Sequence, residues 1–324
     1  MTSQTIKSFL AAAAVVALFS GAAAAASYPD KPITILVPFS AGGNVDLSTR
    51  IIADAMTSDL GQSIVVQNRP GAGGLIAYGA VANATPDGYT LGTMAISSLI
   101  VTPRVLERKD LPLSSFSAIG PISESPMVLL VPKSSPYKTA KEFLQAAKQK
   151  PDMLTIGHSG NGTTGHVAIL LLEKAADIDL NVIPYKGAAP ALVDLIGQQL
   201  NSAIDQVTSS LPHIRGGQLR ALAVLGRERI PELPDVPTLQ ELGFEKYDVA
   251  ATTGLIGPAG LAPQVVDRLS AALNKALADP DVQARFRKLG SVVLPRTPKE
   301  FSELLQREDQ IAENLAISGV LKPQ

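Results

Sequence analysis

Two glycine-rich stretches hold the residue types best suited to chemistry. The first is Pro38-Phe39-Ser40-Ala41-Gly42-Gly43-Asn44-Val45-Asp46, and the second is Gly157-His158-Ser159-Gly160-Asn161-Gly162-Thr163-Thr164-Gly165-His166. Each follows a short apolar run and opens an amphipathic one, so each places glycines and small hydroxyl residues at the start of a helix. The first amides of a helix have no intrahelical acceptor, and the dipole there favours negative charge. Glycine lets a partner approach the backbone closely. Two such loops face to face would cradle a carboxylate with N–H donors. A hydrogen bond to a charged group contributes roughly 1.5–3 kcal/mol, and a helix end adds roughly 0.3–2 kcal/mol. A few of each reach the ~8 kcal/mol of a micromolar ligand after association costs. The competing reading is a pair of ordinary capped turns, and their repetition argues against it.

Other chemistries fit less well. Gly160-Asn161-Gly162-Thr163-Thr164-Gly165 matches the dinucleotide fingerprint. That fingerprint needs an acid at the end of the next strand, and Pro184-Tyr185-Lys186-Gly187 stands there instead. No glycine loop is followed by Gly-Lys-Ser/Thr, so a Walker loop is absent. His158-Ser159-Gly160 lacks the spaced glycine of a hydrolase elbow. Three His, no Cys and no His-Glu-x-x-His argue against a metal site. A formal net charge of −1 offers no basic excess for nucleic acid. With 46% hydrophobic residues the chain is not disordered, and without Cys it has no disulfides. No cofactor is implied, and the reading is a binding protein rather than an enzyme.

The elements that must position these loops alternate. Strands are predicted at 33–37, 64–67 and 89–95, with helices at 45–60 and 74–83. A second set has strands at 127–131, 153–156, 180–183, 202–205 and 219–225, with helices at 139–149, 163–176 and 190–196. A returning strand at 250–256 precedes helices at 263–278, 280–289 and 298–316, each opened by proline. This order gives an α/β fold of two doubly wound halves. Segments near 124–131 and 248–256 are candidates to cross between them, as in hinge-closing, Venus-flytrap binding proteins. The expected division is 27–127 with 250–324 for one lobe and 128–249 for the other. Residues 1–26 read as a secretory signal peptide: Lys7, an apolar Ala-rich middle, and Ala24-Ala25-Ala26 for cleavage after Ala26. The expected destination is the periplasm.

Longer stretches resemble the substrate-binding proteins of tripartite tricarboxylate transporters, the Bug family. They include Tyr28-Pro29-Asp30-Lys31-Pro32-Ile33, the first glycine loop with Asp46 and Arg50, and Gln67-Asn68-Arg69-Pro70-Gly71-Ala72-Gly73-Gly74. Pro86-Asp87-Gly88-Tyr89-Thr90-Leu91, the 160–166 loop, Pro184-Tyr185-Lys186-Gly187 and Pro234-Asp235-Val236-Pro237-Thr238 follow in the same order. The resemblance implies a type II, two-lobed periplasmic protein, monomeric when mature, that passes a small carboxylate to membrane permease subunits. One departure is that Thr252 or Thr253 stands where many relatives carry Trp.

Carried over, the ligand-binding positions are Phe39, Ser40, Ala41, Gly42, Gly43 and Asp46 from the first loop, and Gly160, Gly162, Thr163, Thr164 and His166 from the second. Ser97, Ser98 and Asp205 join them at the rims of the two sheets. Several have a second reading. Asp46 either sits favourably on the helix dipole or orients the loop and its ligand. His166 either orients its loop or touches the ligand. Asp205 ends a buried strand and needs a partner of some kind. Arg69 and Lys186 either attract an anion or are solvated loop charges. The ligand expected is a mono- or dicarboxylate, with acidic amino acids and aromatic acids also open. An exported enzyme, or an envelope interaction protein without saturable small-molecule binding, is the alternative.

Overall fold

A computed structural model describes residues 28–108, 110–245 and 247–321. The proposed signal peptide lies outside the described residues. The strands are β1 (Ile33–Val37), β2 (Ile64–Asn68), β3 (Thr90–Ala95), β4 (Phe116–Pro132), β5 (Thr155–His158), β6 (Asn181–Pro184), β7 (Ser202–Gln206), β8 (Leu219–Val224), β9 (Ala250–Pro258) and β10 (Val292–Val293). The helices are α1 (Asn44–Leu60), α2 (Leu75–Ala82), α3 (Ile96–Val105), α4 (Ala140–Gln149), α5 (Thr164–Ala176), α6 (Ala188–Ile196), α7 (Val207–Arg215), α8 (Pro263–Ala278), α9 (Pro280–Lys288) and α10 (Pro298–Ile317).

The strand order is β2-β1-β3-β9-β4-β7-β5-β6, with β8 and β10 also paired to β4. On one side β1 pairs parallel with β2 and β3. On the other β5 pairs parallel with β6 and β7. Parallel neighbours require helical crossovers, so helices cover both faces of the inner strands, while the outer strands β2 and β6 stay partly exposed. Strand β4 is common to both sides. It pairs with β9 from Phe116↔Pro258 to Pro126↔Ala250, then with β7 from Met127↔Gln206 and with β8 from Val128↔Val224. The change of partner falls at Pro126, which has no N–H to give the ladder. Register shifts beside Ala118 and Pro121 curl the strand further.

Alternation along β4 feeds two cores. Met127, Leu129 and Val131 pack with Phe143, Ile156 and Leu172. Val128 and Leu130 pack with Leu192, Leu195 and Leu211 on the opposite face. A strand's period of two sends neighbours to opposite faces, so an unbroken apolar run is what a strand covered on both sides needs. The other sheet is likewise double-sided. Ile33, Ile35 and Leu91 face α1, α8 and α9 through Ile52, Leu273 and Phe286. Met94 and Ile256 face α2, α3 and α10 through Tyr78, Leu99 and Phe301.

Two helices depart from the sequence expectation. The 96–105 and 207–215 segments, ISSLIVTPRV and VTSSLPHIR, are α3 and α7. Their β-branched residues, serines and internal prolines (Pro103, Pro212) have low intrinsic helix propensity. Tertiary packing decides these segments: Leu99 and Val105 are buried in one core and Val207 and Leu211 in another. Strand β4 also begins eleven residues before the predicted 127, because its Ser-, Gly- and Pro-rich first half hides the pattern.

Candidate functional site

Six strand-to-helix connections meet between the two sheets: β1–α1, β2–α2 and β3–α3 from one lobe, and β5–α5, β6–α6 and β7–α7 from the other. The helices they open start at N-caps Gly43, Gly74, Ala95, Thr163, Gly187 and Gln206, and none of these has a side-chain cap hydrogen bond. Of the four described α-helices that start elsewhere, three carry a side-chain cap. Thr139 and Thr297 form capping boxes with Glu142 and Glu300, Asp279 caps α9, and α8 begins with Pro263, which has no N–H. All six helix starts at the gap lack a side-chain cap, and among the other described α-helices only α8 does.

The two glycine loops are built alike, 120 residues apart. Gly42 and Gly162 both take positive φ, +85° and +77°. The Gly42 N–H donates to Asp46 Oδ2 at 2.9 Å, and the Gly162 N–H donates to His166 Nδ1 at 3.1 Å. In each case a side chain four residues on, in the first helical turn, anchors the glycine. Asp46 is buried and also accepts from Arg50 Nε and from Asn68 Nδ2 (2.9 Å to Oδ1). Burial works to raise its pKa, but the hydrogen bonds from Arg50, Gly42 and Asn68 outweigh burial and hold the carboxyl below the usual aspartate range. Asp46 and His166 thus hold the two loops in shape.

His166 stacks on His158, with ring centroids 4.8 Å apart and planes 17° from parallel. Both are buried, and the Gly160 N–H donates to His158 Nδ1 at 3.2 Å. Burial, then the neighbouring His166, pushes His158 down to about 3, and burial pushes His166 down to about 4. Asp205 is equally buried and accepts from Ser209 Oγ at 2.6 Å in the first turn of α7. Burial pushes its carboxyl up to about 7, against the hydrogen bonds from Ser209 and the Gln206 amide.

The lobes are in contact. Ser40 Oγ donates to the Lys186 carbonyl at 2.8 Å, Ser97 Oγ to the Gly162 carbonyl at 3.1 Å, and Thr102 Oγ1 to the Asn161 carbonyl at 2.9 Å. Hydroxyls of the β1–β3 lobe therefore clasp loop carbonyls of the other. The approach is so close that a Cβ on Gly162 would lie 2.3 Å from Thr102 Cα, and one on Gly73 would lie 2.5 Å from the Asn161 carbonyl oxygen. Only glycine permits this backbone contact.

Of the residues singled out in the sequence, Phe39, Gly43, Thr163 and Thr164 line the space between the loops. Ser40 and Gly162 form the clasp, and Gly160 packs against Gly73. Ser97 closes the clasp and lines a second, larger cavity next to it. Ala41 and Gly42 face outward, and Asp46, His166 and Asp205 stand behind the lining. Ser98 is buried, accepts from Tyr78 OH and donates to the Gly73 carbonyl. Arg69 and Lys186 are exposed, and among the described residues no Lys or Arg lines the inner space. Among the described residues no cluster of His, Cys, Asp and Glu could hold a metal ion.

The sequence reading missed Asn44, Ala95, Ser159, Ala188 and Gln206 as lining residues. Asn44 could have been found from the repeat, since it stands 120 residues before Thr164 in the matching loop. Its Nδ2 donates to Thr253 Oγ1 at 3.3 Å, and its buried Oδ1 has no protein partner. The inner space is about 10 Å³, room for one water-sized group.

Two lobes joined by shared strands, with uncapped helix starts opposed across the gap, define the class of two-lobed solute-binding proteins. Comparison with known proteins narrows the class. Residues 48–317 match the family described as "Tripartite tricarboxylate transporter family receptor". The chain belongs to that family. It is 32% identical to Protein BugT of Bordetella pertussis over 305 residues, covering 93% of this chain and 92% of BugT. The structure of the periplasmic binding protein BugD is similar with a TM-score of 0.87 and 34% identity, over 91% of this chain and 100% of BugD. MatC from Rhodopseudomonas palustris, solved with bound malate, is similar at 0.85 and 33% identity, over 89% and 99% of the two chains. Rpa4515 of R. palustris, solved with adipate, is similar at 0.87 and 30% identity, over 92% and 100%.

Proposed function

We propose that this protein is a periplasmic receptor that captures a small organic carboxylate between its two glycine loops and presents it to membrane permease subunits, with no covalent chemistry. The observation that carries the reading is the contrast in capping: all six helix starts around the gap lack a side-chain cap, whereas three of the four described α-helix starts elsewhere have one. The malate and adipate of the two related structures are both carboxylates, which supports the ligand class. Residues 28–127 with 250–321 would move as one lobe and 128–249 as the other, pivoting where β4 changes partner.

A thermal-shift panel of carboxylates, amines and neutral sugars on the mature protein tests this. A ligand at 100 times its Kd stabilises by about 2.7 kcal/mol. Stabilisation by acids supports the reading. Stabilisation by amines or sugars and by no acid overturns it.

A further inference from the structure

A cavity of about 330 Å³ adjoins the clasp, and Thr164 and the start of α3 border both spaces. This volume lies in the range of small-molecule sites. Its walls come from both lobes and from the shared strands: Ile100 and Val101 of α3, Val167 and Leu171 of α5, Thr252 of β9, and Ile311 of α10. Apolar side chains predominate among the lining residues, with the hydroxyls of Ser97, Thr164 and Thr252 between them, and the charged groups are all acids: Glu124, Asp248 and Glu308. Asp248 stands exposed and pairs with Arg227 at 2.6 Å. Glu124 and Glu308 are half-buried, and among the described residues neither forms an ion pair. Burial raises the Glu308 carboxyl; Arg307 opposes that rise and the Glu124 charge adds to it.

With the lobes in contact the inner space holds only one water-sized group, so a carboxylate seated there would require the loops to part slightly, and the body of any larger ligand must lie elsewhere. We infer that this cavity is the distal subsite of the same binding site, and that it selects carboxylates with an aliphatic body and a cationic far end, of the ω-amino-acid type. The inference rests on the carboxylate reading above. The apolar walls bury the methylene chain, and the glutamate pair receives the ammonium. A second carboxylate would meet two like charges in a partly desolvated cavity, where repulsion is stronger than in water.

Isothermal titration of the mature protein with matched probes at two chain lengths tests this. The probes are 4-aminobutanoate, butanoate and succinate, then 6-aminohexanoate, hexanoate and adipate. The ω-amino acid is expected to bind at least tenfold tighter than the dicarboxylate of equal length, with the monocarboxylate between them. In Glu124→Gln/Glu308→Gln the ratio should fall below threefold, chiefly through tighter dicarboxylate binding. Ile311→Lys, at a half-exposed position on the cavity wall, should shrink the ratio without altering the glutamates. Dicarboxylates binding as tightly as ω-amino acids in the wild type, or a ratio that both variants leave unchanged, overturns the subsite alone. Failure of every acid to bind overturns the carboxylate reading and this one with it.

Discussion

At the scale of single residues, the charged and titratable side chains of the site shape the loops instead of lining the gap. Asp46 satisfies Gly42, Arg50 and Asn68 at once. Asp46→Ala should cost about 1.5–3 kcal/mol, the worth of hydrogen bonds to a charged group, and should weaken carboxylate binding at least tenfold by releasing the loop. Denaturant titration and calorimetry on one sample check both. The histidines make a prediction with a sign. A histidine whose folded pKa lies below its unfolded ~6.5 takes up a proton on unfolding, so its contribution to stability is present above 6.5 and lost as pH falls toward the folded value. His166, held at about 4, loses roughly 1.4 kcal/mol per pH unit across that window. Asp205 acts oppositely. Its folded value is about 7, so its contribution is full below ~3.9 and disappears as pH rises through 7. In His166→Asn, which keeps an acceptor for the Gly162 amide, the fall in stability from pH 6.5 to 4.5 should be shallower by about one proton's worth. Equal slopes in wild type and variant would mean that His166 does not titrate in this way.

At the scale of elements, the helix starts divide into capped and uncapped sets, and substitutions should follow that division. Thr297→Ala removes the capping box of α10, far from the gap. It should cost ~0.5–2 kcal/mol of stability and leave ligand affinity unchanged. Gly42 and Gly162 separate backbone strain from contact. Both have positive φ, so alanine costs each about 1–2 kcal/mol. A Cβ on Gly42 meets only Ala189 Cβ at 3.8 Å, whereas one on Gly162 strikes the Thr102 backbone. Gly162→Ala should therefore lower affinity at least 100-fold, and Gly42→Ala by less than tenfold, in the same calorimetric assay. The glycine loops and the alternation around them were legible in the sequence because glycine, proline and apolar periodicity mark them locally. Helices α3 and α7 were not, because packing against distant residues overrides their Ser, Thr and Pro content. Ala188 and Gln206 were illegible for a related reason: ordinary residue types become part of the site only when two lobes far apart in sequence are brought together.

At the scale of the whole molecule, closure rests on few bonds. Ser40, Ser97 and Thr102 each donate one hydroxyl across the gap to a backbone carbonyl, and the Ser40 N–H also donates to the Lys186 carbonyl at 3.2 Å. A net contribution of about 0.5–1.5 kcal/mol per bond gives the three hydroxyl bonds roughly 1.5–4.5 kcal/mol. That range matches the few kcal/mol that separate interconverting states of a hinged protein, so under the proposed lobe motion the clasp would set the open–closed balance without locking it. The shared strands favour the same motion, since β4 gives up β9 for β7 and β8 within one residue step and at a proline. Ser40→Ala/Ser97→Ala/Thr102→Val removes all three hydroxyl donors while leaving both cores intact. Small-angle scattering of the ligand-free triple variant should show a larger radius of gyration than wild type, and saturating ligand should restore the compact value. Because only the closed form grips, apparent affinity should fall by the factor by which its population falls, roughly tenfold for each 1.4 kcal/mol lost. Scattering identical to wild type together with unchanged affinity would mean that the sheets, and not the clasp, hold the lobes together.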